Sequence, residues 1–308
     1  MPTNSISLFI RSHFQGEREF AERIRIACKN LNWKVKISYI STFRDSDLNC
    51  DWSLTLVPGK KCPLKKNDYL VLFDPEYHYF RSGGHLKEMY FDYAGYLTAY
   101  QNTEVLFDDI DHNIQRIYPK RWYPLVQYRP YKEVTPSRLF YLLCGWGDRC
   151  SDIRYKTLQD MLAQKSYTNF FGNPEAGRSY VKVFKGPIEF DGESVLNLIS
   201  EMGVCLVLHS STHLKYGIPS GRIFEASAAS AVIICDLNPF VIEEFGDSVL
   251  YIDQNLSGEN MFMQIDEYMR WIQEHPKEAL EMARRAHEIF EEKFLLENQL
   301  LDFDQFHR

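Results

Sequence analysis

Short apolar runs, each followed by a polar turn and then by apolar residues at helical spacing, recur along the chain, the pattern of alternating strands and helices. Residues 6–10 form such a run, pass through Arg11-Ser12-His13-Phe14-Gln15-Gly16, and lead into 17–31, where Phe20, Ile24, Ala27, Cys28 and Leu31 follow helical spacing. Further strands are predicted at 33–40, 53–57 and 69–73, the last being the unbroken run YLVLF. Residues 86–100 and 109–117 read as helices, with a short strand at 104–107 between them. Pro119, Pro124, Pro130 and Pro136 punctuate a stretch without sustained period, which reads as a linker. The same alternation then restarts with a strand at 137–144, the turn Gly145-Trp146-Gly147 and a helix at 152–163. Apolar segments at 167–171 and 181–184, a helix at 192–201 and the buried run VCLVL at 204–208 follow. A polar loop from His209 to Lys215 precedes a helix that opens near Gly221, a strand at 231–235 and a second, Pro-led helix. A last strand at 249–252 and amphipathic helices at 260–272 and 276–294 complete the pattern, and 295–308 reads as a partly disordered tail.

This order predicts an α/β protein of two Rossmann-like domains facing a cleft: an N-terminal domain over 1–130, a C-terminal domain over 131–294, and the tail 295–308. Ligands of such folds gather beyond the carboxyl ends of the strands. His13 follows the first strand, and Asp74-Pro75-Glu76-Tyr77-His78 follows YLVLF, so these positions suit a catalytic base or nucleophile. A surface-loop histidine and ordinary Asp-Pro turn chemistry are the plainer readings of the same residues. In the second half, Gly145 and Gly147 open a strand–turn–helix unit with Arg149 just behind them, a geometry in which backbone N–H groups meet an anion.

At 308 residues and 45% hydrophobic content, the chain can fill two cores. A net charge of -7 without a basic run argues against a nucleic-acid partner. The 7 cysteines form no C-x-x-C pair, so reduced thiols of a cytoplasmic protein are expected and no metal site. No signal peptide or 18-residue apolar run is seen, leaving peripheral contact as the only expected engagement with a membrane. Three D-x-D triplets, at 45–47, 109–111 and 302–304, are discounted as chance in an acid-rich chain.

The stretch GIPSGRIFEASAASAVIICDLNPFVIEEFG, 217–246, carries the most chemistry. Ser220 is placed to cap a helix starting at Gly221, Arg222 lies in its first turn, and Glu225 shares a side with Arg222. PSGRIFEA, a small-residue run, a strand, then DLNP and EEFG resemble the donor-binding core of GT-B glycosyltransferases, in particular the branch with an R-x-F-E box and the retaining family marked by E-x7-E. The resemblance spans roughly 139–294. It implies a metal-independent Leloir-type transferase without cofactor, acting on a nucleotide sugar and a glycan or lipid-linked acceptor. Glu225 matches the second Glu of the signature, which holds the donor ribose, whereas Gly217 stands where the first would be. The resemblance further implies that Ser220, Gly221, Arg222, Lys215 and Arg149 meet the phosphates, and that the turn with Gly186 and Ile188 receives the base. His209, Ser210 and His213 would line the sugar end, and Asp74, His13 or His78 would act from the facing domain. The work implied is bacterial surface-polysaccharide synthesis at the inner face of the membrane, with a CMP-, UDP- or GDP-linked donor. The His/Lys-rich HSSTHLK also suits a carboxylated sugar, as in Kdo transferases that use a CMP-activated donor. The missing first Glu equally suits a GT-B module that binds a nucleotide or glycan without turnover.

Overall fold

The computed structural model describes residues 4–11, 16–42, 49–56, 67–72, 93–99, 118–144 and 148–308. The chain divides into two compact units. One comprises Met1–Tyr128, Phe190–Gly192 and Leu295–Arg308, the other Arg129–Glu189 and Glu193–Phe294.

The first unit holds a parallel sheet of β1 (Ser5–Ile10), β2 (Lys34–Tyr39), β3 (Trp52–Thr55), β4 (Asp68–Leu72) and β5 (Gly95–Thr98), in the order β2-β1-β3-β4-β5. Its inner strands are buried along nearly their whole length, as expected of a parallel sheet covered on both faces, whereas edge strand β2 alternates. Helix Gly16–Asn30 makes the crossover from β1 to β2. The expected helix at 86–100 is a correction: of its described part, residues 95–98 form β5, held by pairing such as Leu70↔Tyr96. Strand pairing there overrides a helix-like local pattern. The elements read at 104–107 and 109–117 lie outside the described residues.

The tail is a second correction. Leu296–His307 is a helix of the first unit, and Phe303, fully buried on it, lies 4.9 Å from the rings of both Trp52 and Tyr69. Trp52 Nε1 donates to Asp304 Oδ1 at 3.0 Å, and Gln299 both accepts from Tyr123 N and donates to its carbonyl. Much of the presumed linker is packed as well, with Tyr118, Trp122, Leu125 and Val126 buried. The short return at 190–192 is pinned by Gly192, whose N–H donates to buried Glu19 and whose carbonyl accepts from Gln127. Gly192 has φ +83, and a Cβ would come within 3.1 Å of Arg23 N, so glycine is required on both counts.

Asp68, fully buried at the start of β4, accepts from Ser53 Oγ at 2.8 Å and Thr55 Oγ1 at 3.1 Å. Burial outweighs those hydrogen bonds and raises its carboxyl from 3.8 to about 6. A raised folded value means that the protonated form stabilises the fold below about pH 4 and that this contribution is lost as pH rises through 6. Asp68→Asn should therefore gain on the wild type by about 3 kcal/mol between pH 4 and pH 7. Urea unfolding of both proteins at the two pH values checks this; a pH-independent difference would refute it.

The second unit repeats the topology. β6 (Arg138–Leu143), β7 (Thr168–Gly172), β8 (Gly203–Val207), β9 (Val232–Asp236) and β10 (Leu250–Ile252) are parallel in the order β10-β9-β8-β6-β7. Leu139, Tyr141, Leu206 and Ile234 join helices Ile153–Leu162 and Gly258–Glu274 in one core. Helix Gly221–Ala228 packs against Ser194–Met202 and Pro276–Lys293. His287 on the last of these binds the Ser227 carbonyl through Nδ1 at 2.9 Å. No helix among the described residues is long and apolar enough to cross a membrane.

Candidate functional site

In a parallel sheet, a crevice opens where neighbouring strands send their following segments to opposite sides. In the second unit β7 lies on one side of β6 and β8 on the other, so that point falls between the carboxyl ends of β6 and β8. The segment after β8 is Leu208-His209-Ser210. Arg149, on the segment that follows β6, donates from Nη1 to the Leu208 carbonyl at 2.7 Å and so ties the ends of β6 and β8 together.

His209 is 1% exposed, although it stands just past a strand end, and it is held twice by Asp236 at the end of β9. Its backbone N–H donates to Asp236 Oδ2 and its ring Nδ1 faces Oδ1, both at 2.6 Å. Because a carboxylate accepts, Nδ1 carries the hydrogen. The other ring nitrogen, Nε2, is buried and has no hydrogen-bond partner among the described residues. His209, Cys235 and Asp236 offer atoms within 4.8 Å of one another, a spacing that invites a metal reading. Two ligands of one tetrahedral metal stand about 3.3 Å apart, whereas the 2.6 Å between Nδ1 and Oδ1 is a hydrogen bond. Cys235 is fully buried, with its thiol pushed well above its ordinary value by burial and then by Asp236, so the cluster is built as a hydrogen-bonded pair. Asp236 was missed in the sequence; its signal is an acid closing the apolar run VIICD.

The polar loop read at 209–215 is also corrected, because Ser211–Tyr216 is a short helix. Ser210 caps it by accepting from His213 N, and its Oγ lies 2.7 Å from His213 Nδ1. Gly217 ends it in the left-handed conformation, φ 60 and ψ 35, donating to the His213 and Leu214 carbonyls. A Cβ at Gly217 would meet only Pro239 at 3.7 Å, so conformation rather than space accounts for glycine at this position. Lys215 is exposed, with Nζ 5.1 Å from the Tyr216 ring centroid.

Helix Gly221–Ala228 begins as the sequence indicated, with Ser220 Oγ accepting from Arg222 N at 3.3 Å. It is the crossover between β8 and β9, so its N-terminus lies at the carboxyl edge of the sheet. Arg222 and Glu225 form an ion pair, mostly buried at 16% and 8% side-chain exposure. The Arg222 guanidinium also lies 5.5 Å from the ring centroid of Phe140 on β6. Residues assigned separate phosphate and ribose roles therefore form one coupled unit over the switch strand. Cys205 on β8 lies close enough to feel both charges, although burial dominates and raises its thiol to about 12.

The base-turn candidates lie beyond β7. Phe184 bridges Phe170, Gly172 N donates to the Gly186 carbonyl, and Gly186 (φ +112) and Ile188 follow, both partly exposed. Asp302 pairs with Lys120 and Asp304 accepts from Trp52, so the last D-x-D triplet is divided between unrelated partners. His13, Asp74, His78, Gly145 and Gly147 lie outside the described residues.

Residues 157–304 match the model of a family described as glycosyl transferase-like, just under half of the chain. Among curated proteins no sequence matches. Several solved structures share the fold over the whole chain. An α-glucosyltransferase in complex with UDP and a 13-mer DNA containing an HMU base is 12% identical, with a TM-score of 0.68 and 100% of both chains covered. Anabaena HepE in complex with UDP and glucose is 14% identical, with a TM-score of 0.61 and coverage of 99% of this chain and 100% of its own. WaaG, a glycosyltransferase involved in lipopolysaccharide biosynthesis, is 12% identical, with a TM-score of 0.54 and coverage of 97% and 99%. The fold is that of GT-B glycosyltransferases, two parallel-sheet α/β domains.

Proposed function

We propose that the protein is a Leloir-type glycosyltransferase whose second unit holds a nucleotide-activated sugar, which it transfers to a glycan or lipid-linked acceptor in surface-polysaccharide synthesis. The observation that carries this reading is the carboxyl edge of the second sheet. There a capped helix start, Arg149, His209 and the Arg222–Glu225 pair occur in and beside the segment that matches the family model. Departure of a nucleotide places negative charge on phosphate, and free helix N–H groups with nearby cations stabilise that charge without a metal. Arg222 is committed to Glu225, so the helix N–H groups, Arg149 and Lys215 meet the phosphate first, while Glu225 accepts from the ribose diol. The base or nucleophile is assigned to Asp74, His13 or His78 of the first unit. UDP is the first nucleotide to test, since two of the similar structures carry it. Gly217 in a left-handed turn, where the retaining signature has Glu, keeps the CMP-linked Kdo reading as the second candidate. The reaction belongs in the cytoplasm, with peripheral contact at the inner membrane face when the acceptor is lipid-linked.

A thermal-unfolding panel of UDP, CMP, GDP and ADP tests the reading. One of them, at a hundred times its Kd, should stabilise the protein by about 2.7 kcal/mol; no stabilisation by any would overturn it. Slow hydrolysis of the matching nucleotide sugar then separates an enzyme from a binding module that turns nothing over.

A further inference from the structure

The His209–Asp236 pair has a geometry that neither packing nor the sequence pattern explains. Asp236 spends both carboxylate oxygens on one histidine, binding its backbone N–H and its ring Nδ1, so the imidazole is locked in place at 0% side-chain exposure. A ring fixed through Nδ1 on β9 turns Nε2 away from β9, and β8's other neighbour is β6, the strand across the switch point. Leaving a buried polar atom without a partner costs free energy that an apolar residue would avoid. A wholly structural residue at this place would have no need of the second nitrogen.

We propose that His209 and Asp236 form a dyad of the donor site, in which Asp236 orients the imidazole and Nε2–H donates a hydrogen bond to a phosphate oxygen of the bound nucleotide. The proposal rests on the nucleotide-binding reading above and adds the group that makes this contact. An ionised phosphate oxygen only accepts, so both ring nitrogens must carry hydrogen in the complex. The additional proton comes from solvent as the nucleotide binds, and Asp236 balances the resulting imidazolium. Among the described residues, charged or titratable groups near the ring include Cys235, whose Sγ lies 4.0 Å from Nδ1 and donates to Asp236 Oδ1 at 3.6 Å, His213, 6.2 Å away between ring centroids, and Arg149 on the adjoining Leu208 carbonyl. Tyr141 on β6 lies close enough to feel Arg149, Cys144 and Asp236.

Calorimetric titration of UDP, CMP, GDP and ADP, with the matching nucleoside as control, tests this on the full chain. His209→Asn keeps a donor for Asp236 at the Nδ1 position and removes Nε2, whereas His209→Gln keeps a donor near Nε2 that takes up no proton. His209→Asn should weaken binding of the nucleotide about ten- to hundred-fold, the worth of a hydrogen bond to a charged group, and leave the nucleoside unaffected. His209→Gln should recover most of the affinity. Wild-type binding should take up a proton, seen as a dependence of the binding heat on buffer ionisation enthalpy, and weaken as pH rises, and the Gln variant should show neither effect. If the wild type binds a nucleotide and His209→Asn binds it equally well, the dyad is refuted while the donor site stands. Loss of affinity for the nucleotide sugar alone would place Nε2 on a sugar hydroxyl and also refute the proposal. If the wild type binds none of the four nucleotides, the donor reading itself falls.

Discussion

Phe303→Ala will lower the stability of the first unit by about 3–5 kcal/mol, the usual cost of emptying a buried phenylalanine site. Phe303 is 0% exposed and packs edge-on against the rings of Trp52, Tyr69, Tyr118 and Trp122, so its removal empties a site walled by large aromatic side chains. Leu301, two residues earlier on the same helix and 39% exposed, is the internal control, and its alanine variant should change stability by about 0.5 kcal/mol or less. Trp52 and Trp122 report directly on the site, so denaturant unfolding followed by tryptophan fluorescence measures both. Equal losses for the two variants would show that this helix does not pack against the first unit in solution.

Arg222→Ala carries the second large effect. It breaks a mostly buried ion pair by removing the guanidinium from the Glu225 carboxylate, 8% exposed, a change that costs about 3–5 kcal/mol. Removing both charges together, as Arg222→Met with Glu225→Leu, should restore most of the stability, because a buried pair contributes far less than either half costs when left alone. Thermal unfolding of the single and double variants decides the matter. A single variant as stable as the wild type would mean that solvent reaches the pair freely. The double variant should still fail to bind nucleotide, which separates fold from function at this position.

The strands and the larger helices of the second unit could be read from the sequence because each carries its own signal. VCLVL is an unbroken apolar run, and Ser220 before GRIFEA is a cap followed by helical spacing. What escaped depends on partners distant in sequence. β5 is short, and only its pairing with β4 distinguishes it from the helix-like residues before it. Helix Ser211–Tyr216 has start and stop signals in Ser210 and Gly217 but is too short to show a period. The closing helix was missed even though Leu296, Leu300 and Phe303 stand at helical spacing, because its buried face is covered by β3, β4 and the 118–126 segment, residues far earlier in the chain. In the site, His209 could be picked out as a polar residue after a buried strand. Its partner could not, since 27 residues separate it from Asp236 and only the β8–β9 pairing brings them together.

The first unit takes in residues from both extremes of the chain, including Phe303 and His307. During synthesis its early strands therefore emerge long before the helix that fills their core, and they wait with Trp52 and Tyr69 uncovered while the second unit is being made. Contacts of such long sequence separation form late and slowly, and exposed apolar surface in the interval invites association with other chains. Nascent protein halted shortly before residue 295 should thus be the species most in need of a chaperone.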